Sequence, residues 1–227
     1  MVLWMRLAYM IWKALKHCPL FFAVLVSILM IGLISCALTS KLTSFNFLNF
    51  YHCQFLDVFF SYYTFMGDGV MCLLTIIILF FLKRKKLALA LLLAFLGSGL
   101  IVQILKKLLH EPRPSLYFEQ IGFKYSYFVI GIQKMQSASF PSGHSASAFA
   151  MCIVIALYFK DKRVSILCLL LALFAGYSRI YLAHHFLPDV MFGALIGSAS
   201  GLLMYYFIWH PAGIYTKVNT GFNGALK

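Results

Sequence analysis

Residues 85–114 read KKLALALLLAFLGSGLIVQILKKLLHEPRP. No charged side chain falls between Lys86 and Lys106, and that run matches the ~20 residues an α-helix needs to cross a bilayer. Lysines close it on both sides, and Pro112 and Pro114 prevent the helix from continuing past its far end. The alternation expected of an outer-membrane barrel strand is absent from it. Comparable apolar runs occur elsewhere, which predicts helices at about 19–38, 60–82, 87–108, 145–159, 164–181 and 189–209. The fourth is short, but it has room to begin at Ser142 or Gly143. The expectation is an all-α, polytopic membrane protein, a six-helix bundle forming one domain over 1–227, with its core at about 60–209.

Composition agrees with a bilayer as solvent. The chain is 63% hydrophobic and only 11% charged, against roughly 25% charged in soluble domains. The formal net charge of +13 resembles a nucleic-acid signal until it is placed on the predicted spans. With a cytoplasmic N-terminus, Arg6, Lys13, Lys16, the run Lys83–Lys86, Lys160, Lys162, Arg163, Lys217 and Lys227 all lie inside. These are twelve of the 19 basic residues, the positive-inside pattern, and both termini are then cytoplasmic. Most of the outer remainder falls between Lys106 and Lys134. No nucleic-acid partner is expected; the inner charges serve topology and anionic headgroups.

Smaller features have plain explanations. Cys36, Cys72, Cys152 and Cys168 sit in predicted spans with no CxxC spacing, as buried small hydrophobes do. Leu33–Ile34–Ser35–Cys36 would pass as a lipoprotein processing box, but an ordinary first span accounts for it better. Gly193, Gly197 and Gly201 form a small-residue ridge suited to close helix packing. Asp68, between Gly67 and Gly69, reads as a helix break or as a partner for an outer lysine. The aromatic 39–59 connection and the 115–140 segment are expected at the membrane interface, the latter as a lid; a polar tail follows from about 210.

Three short motifs carry chemistry: Lys106–x6–Arg113–Pro114, Pro141–Ser142–Gly143–His144, and Ser178–Arg179–x5–His185–x3–Asp189. On the predicted topology all three reach the same outer surface. Arg113 offers a planar fork to two phosphate oxygens, and Lys106 a compact charge. Ser142 suits an N-cap, and the helix it opens presents free N–H groups and a positive dipole end to an anion. Gly143 lets an oxyanion approach the backbone. His144 is placed to protonate a leaving oxygen. Asp189, four residues after His185, is placed to hold one ring nitrogen and leave the other nucleophilic. His184 is the rival nucleophile, and only spacing separates it from its neighbour.

With these residues in view, the chain resembles the type 2 phosphatidic acid phosphatase (PAP2) superfamily, whose pattern KxxxxxxRP, PSGH and SRxxxxxHxxxD it meets in full. The resemblance implies a metal-independent phosphoric ester hydrolase that works without a cofactor through a phosphohistidine. In that reading His185 attacks phosphorus, Asp189 supports it and His144 protonates the leaving group. Lys106, Arg113, Ser142, Gly143 and Arg179 bind the phosphoryl oxygens. Members of this size act on undecaprenyl pyrophosphate, phosphatidylglycerophosphate, phosphatidic acid or lipid A phosphates at the outer face of the bacterial inner membrane. The residue types agree, since the outer carboxylates Asp57, Asp68, Glu111, Glu119 and Asp189 are too dispersed for a metal cluster. Glu111 is expected to pair with Lys107 or Arg113, or to gate the pocket. Alternatives on the same scaffold are a lipid phosphotransferase and a non-catalytic lipid-binding or transport protein; a haloperoxidase fits so hydrophobic a chain less well.

Overall fold

In the computed structural model, Trp12 and residues 14–209 are described; Arg6, Lys13, Lys217, Lys227 and the expected polar tail from 210 lie outside them. The described residues form helices and no strands. In chain order these are α1 (Pro19–Leu38), α2 (Lys41–Leu48), α3 (Gln54–Tyr63), a 3₁₀ turn (Thr64–Gly67), α4 (Gly69–Phe81), α5 (Lys85–Leu109), α6 (Pro114–Gln120), α7 (Gly143–Phe159), α8 (Lys162–Tyr181) and α9 (Leu187–Trp209).

Four helices are long and apolar enough to cross a membrane, namely α1, α5 with its continuation, α8 and α9. The expected span at 60–82 is broken at Asp68, as one reading of that residue had it: α3 and α4 meet at a bend of 55° around the 3₁₀ turn, and counted as one span they bring the total to five. The break has a local cause. The Asp68 carboxylate caps α4 by accepting the Val70 N–H at 3.2 Å, and an N-cap residue cannot belong to a helix running through it. The sixth expected span, α7, is 17 residues long. Its short reach goes with its place at the centre of the bundle, packed on α4, α5, α8 and α9. It is buried nearly all round, from Ala146 and Phe149 to Ile153 and Leu157, as a helix without a polar face must be.

In lipid no hydrophobic force drives helices together, so close backbone approach and dispersion must do so. The ridge on α9 supplies that approach to α7. A Cβ on Gly193 would stand 2.4 Å from the Ser142 carbonyl oxygen, on Gly197 2.2 Å from that of Ala146, and on Gly201 2.6 Å from that of Ala150. Only glycine allows α7 and α9 to lie this close. The turns after α4 and α7 are tight: Lys83 and Lys160 take left-handed φ of 59° and 54° to end those helices.

The connections at 39–59 and 115–140 carry more structure than expected. Phe45 of α2 is fully buried against Phe118 of α6 and Phe186, so it leaves the interface, whereas Phe47 and Phe50 remain exposed. Phe118, inside the expected interfacial lid, is also buried. A second cluster ties Asn49 and α3 to the end of α8: Tyr181 donates to Asp57 at 2.6 Å, and the Asn49 amide donates to the Ile180 carbonyl at 2.9 Å. All six cysteines are free thiols.

Candidate active site

Each motif occupies a helix end. Lys106 lies in the last turn of α5, where His110 adopts φ 48° and its N–H returns to the Lys106 carbonyl. That cap turns the chain, so Arg113 folds back over the helix end and becomes the first residue before α6. Its guanidinium is buried at 7% exposure and fixed by two carbonyls, Nε donating to Ser137 at 2.9 Å and Nη1 to His184 at 3.3 Å. Arg113 therefore joins the first motif to the third.

The second motif opens α7. Ser142 caps it, accepting the Ser145 N–H at 3.3 Å, and donates its own backbone N–H to the Asp189 carbonyl at 2.9 Å. A Cβ on Gly143 would meet only Val102 Cγ1 at 3.8 Å, so protein packing does not demand glycine there. The open space beside it belongs to a cavity of about 560 Å³ between α4, α5 and α7, whose walls include Gly67, Phe95, Leu100, Gly143 and His144. Leu100 is 63% exposed on the flank that faces lipid.

Arg179 ends α8, is 3% exposed, and donates from Nη1 to the Thr64 hydroxyl. Its Nε is buried with no partner among the described residues. A buried, unpaired charged donor is costly unless a ligand meets it. The Arg179 carbonyl accepts the N–H groups of both His184 and His185, at 2.9 and 3.1 Å, which closes the turn into α9. Ser178 Oγ bonds its own helix at Ala175.

The two histidines part company at the side chain. His185 is 1% exposed, and its Nδ1 faces Asp189 Oδ2 at 3.3 Å. The same carboxylate oxygen accepts the Phe186 N–H at 2.9 Å and the Ser139 hydroxyl. His184 instead bonds the Gln133 carbonyl through Nε2 at 3.2 Å, while its Nδ1 is buried without a partner among the described residues. Burial, then Arg113, Arg179, Lys106 and His144 in turn, hold the His185 ring well below the usual histidine value. Burial first, then Arg179 and Arg113, push His184 down to about 3 against the opposing pull of its Gln133 bond. Cations from the first and third motifs, with His144 from the second, thus surround one neutral imidazole, and the structure brings together all eight candidate residues.

One expectation changes, and two residues are added. Glu111 pairs with neither Lys107 nor Arg113 among the described residues; it meets Lys41 of α2 at 2.6 Å. Ser139 and Thr64 touch site residues directly, yet neither belongs to a spaced motif. Ser139, just ahead of Pro141, carried only its nearness to the second motif as a signal. Among the described residues, no three His, Cys, Asp or Glu side chains group as metal ligands do.

A helical membrane bundle that gathers cations around a buried His–Asp pair defines a class of phosphate-handling membrane proteins. The PAP2 superfamily model matches residues 87–211, which contain all three motifs, and the chain belongs to that superfamily. It is similar to a lipid A 4'-phosphatase of Bacteroides thetaiotaomicron, 34% identical over 83 residues, covering 37% of this chain and 36% of that protein. The chain spans between 36% and 62% of the length of three curated relatives that it matches. Among solved structures, Aquifex aeolicus LpxE is 31% identical with a TM-score of 0.64, covering 72% of this chain and 93% of that one. The transmembrane PAP2-type phosphatidylglycerolphosphate phosphatase of Bacillus subtilis shares the fold, with a TM-score of 0.57 at 23% identity over 95% of this chain and 98% of that one.

Proposed function

We propose that this chain is an integral-membrane phosphatase that removes a phosphoryl group from an amphiphilic lipid phosphate or pyrophosphate through a phosphohistidine. The observation that carries this reading is the fully buried His185, held by Asp189 and ringed by Lys106, Arg113 and Arg179. Its Nε2, free of hydrogen bonds among the described residues, attacks phosphorus as the P–O bond to the lipid breaks. His144 passes its proton to the departing oxygen. Water then attacks the phosphohistidine with His144 as base; the P–N bond breaks, inorganic phosphate leaves, and His185 is restored. Asp189 keeps the proton on Nδ1 and balances the charge that the ring gains on phosphorylation. The three cations, with the Gly143 N–H and Ser142 at the start of α7, meet the negative charge of the transition state; each such donor is typically worth ~10²–10³ in kcat.

The cavity beside His144 supports a lipid substrate. It runs from Gly143 and His144 along α4 and α5 to the exposed Leu100, so a hydrocarbon chain has room beside the phosphate-binding helix end. The names of the relatives support the same class. In this reading α3–α4 and α7 complete six spans in the inner membrane, the termini are cytoplasmic, and the pocket faces outward. The lipid is the substrate, the bilayer the only other partner, and no metal or cofactor takes part.

The test is phosphate release by purified protein from phosphatidylglycerophosphate, phosphatidic acid, undecaprenyl pyrophosphate and lipid A in excess EDTA. Release from at least one, with acid-labile, base-stable ³²P on the protein, is expected. Strict dependence on added Mg²⁺, or silence with every lipid, overturns the reading. Transfer of phosphate to an added alcohol in preference to water would assign a phosphotransferase instead.

A further inference from the structure

The broken second span contributes to the pocket in a way that no motif announces. Its 3₁₀ turn, Thr64–Gly67, packs against both α7 and α8. Thr64, 8% exposed, accepts the hydrogen bond from Arg179 Nη1, and it is the one side-chain or backbone group that the guanidinium bonds among the described residues. Gly67, three residues on, lies against the first turn of α7: a Cβ there would stand 2.9 Å from the His144 carbonyl oxygen and 3.1 Å from its Cβ. Asp68 then ends the turn, and its charge acts on Arg179 across the same space. One short segment therefore touches two residues of the candidate site from different motifs.

A guanidinium has N–H groups in a fixed fork, and fixing one of them orients the rest. With Nη1 occupied by a neutral hydroxyl, the remaining donors, including the unpartnered Nε, keep their full charge for an anion. A carboxylate at position 64 would have neutralised that charge, and an alkyl group would have left the side chain without a fixed orientation. A straight helix through 60–82 could not deliver the hydroxyl and the glycine to α8 and α7 together.

We propose that Thr64 is a positioning residue, acting through Arg179, and that the break in the second span serves to place it. This rests on the phosphatase reading, in which Arg179 grips a phosphoryl oxygen. Misplacement of such a group by about 1 Å can cost ~10²-fold in rate.

The experiment compares Thr64→Val, which keeps the shape and removes the acceptor, with Thr64→Ser, which keeps the hydroxyl, each alone and with Arg179→Ala. Binding of orthovanadate is measured alongside kcat and KM on a short-chain lipid phosphate. Thr64→Val should weaken orthovanadate binding and lower kcat/KM by about 10- to 100-fold, Thr64→Ser should stay within about threefold of the parent, and Thr64→Val should add nothing once Arg179 is alanine. A loss of equal size in the Arg179→Ala background, or an unchanged orthovanadate affinity in Thr64→Val, overturns the proposal. Because orthovanadate binding needs no turnover, a parent protein that binds it yet releases no phosphate would sink the phosphatase reading while still testing Thr64.

Discussion

Asp189 Oδ2 faces His185 Nδ1 at 3.3 Å while accepting the Phe186 backbone N–H at 2.9 Å, so one carboxylate oxygen orients the ring and anchors the turn that carries it. Replacing it separates the two roles. Asp189→Asn retains a side-chain oxygen for the turn but loses the charge, and kcat should fall by ~10²–10⁴ with the thermal unfolding temperature little changed. Ser139→Ala, which removes the one hydroxyl donated to the same oxygen among the described residues, should cost about tenfold or less. Phosphate-release kinetics on the two variants check the order; a Ser139→Ala loss exceeding that of Asp189→Asn would contradict it.

The adjacent histidines should behave differently. His185→Ala should abolish turnover and ³²P labelling. His184→Ala should retain labelling, since its ring serves the Gln133 carbonyl and its backbone oxygen, which the substitution preserves, serves Arg113. Labelling that survives in His185→Ala and vanishes in His184→Ala would reverse the assignment.

Acid should weaken the folded state through these rings. An unfolded histidine titrates near ~6.5, whereas burial and Arg179 hold folded His184 at about 3 and His185 is depressed likewise. Below pH ~6.5 the unfolded chain binds protons that the folded rings refuse, so their contribution to stability is whole above that pH. It declines as pH falls toward about 3. Melting temperatures in detergent at pH 7.5, 6 and 5 should drop more steeply for the parent than for His184→Gln. Parallel curves would argue against a neutral, buried His184.

Gly197→Val places methyl groups where even a Cβ would stand 2.2 Å from the Ala146 carbonyl oxygen. Overpacking of this kind typically costs ~1–3 kcal/mol or more, and the backbone on the far side cannot yield as a flexible side chain would. A lower unfolding temperature with reduced activity is expected. An unaltered melting curve would mean that α7 and α9 lie further apart than described.

The Lys41–Glu111 pair is a contrasting case. Both side chains are over a third exposed, at 36% and 38%, and exposed ion pairs contribute ~0–1 kcal/mol. Glu111→Gln should leave kcat/KM within about threefold of the parent and the melting temperature almost unmoved, which a salt titration alongside can check. A loss approaching that of Asp189→Asn would restore Glu111 to the chemistry.

What could be read from the chain was what local chemistry controls. The ends of α5, α7 and α8 follow from Lys106 ahead of Pro112, from Ser142 as a cap and from the turn before Pro188, so the motif residues fall at helix ends where the spacing put them. The glycine ridge was legible because period four on a helix is a face. The break itself was half legible, since Asp68 between Gly67 and Gly69 reads as a helix break, but the contacts it makes with His144 and Arg179 were not, because both lie far along the chain. Phe45 looked like an interfacial aromatic because burial against Phe118 and Phe186 depends on contacts far along the chain. Lys41, 70 residues from Glu111, was out of reach for the same reason.

The seam that Gly193, Gly197 and Gly201 cut into α7 welds the second and third motifs into a single rigid block. In the phosphatase reading, any breathing that admits a lipid and lets its dephosphorylated remainder depart must leave that block intact. The traffic then has to pass beside it, by way of the cavity between α4, α5 and α7.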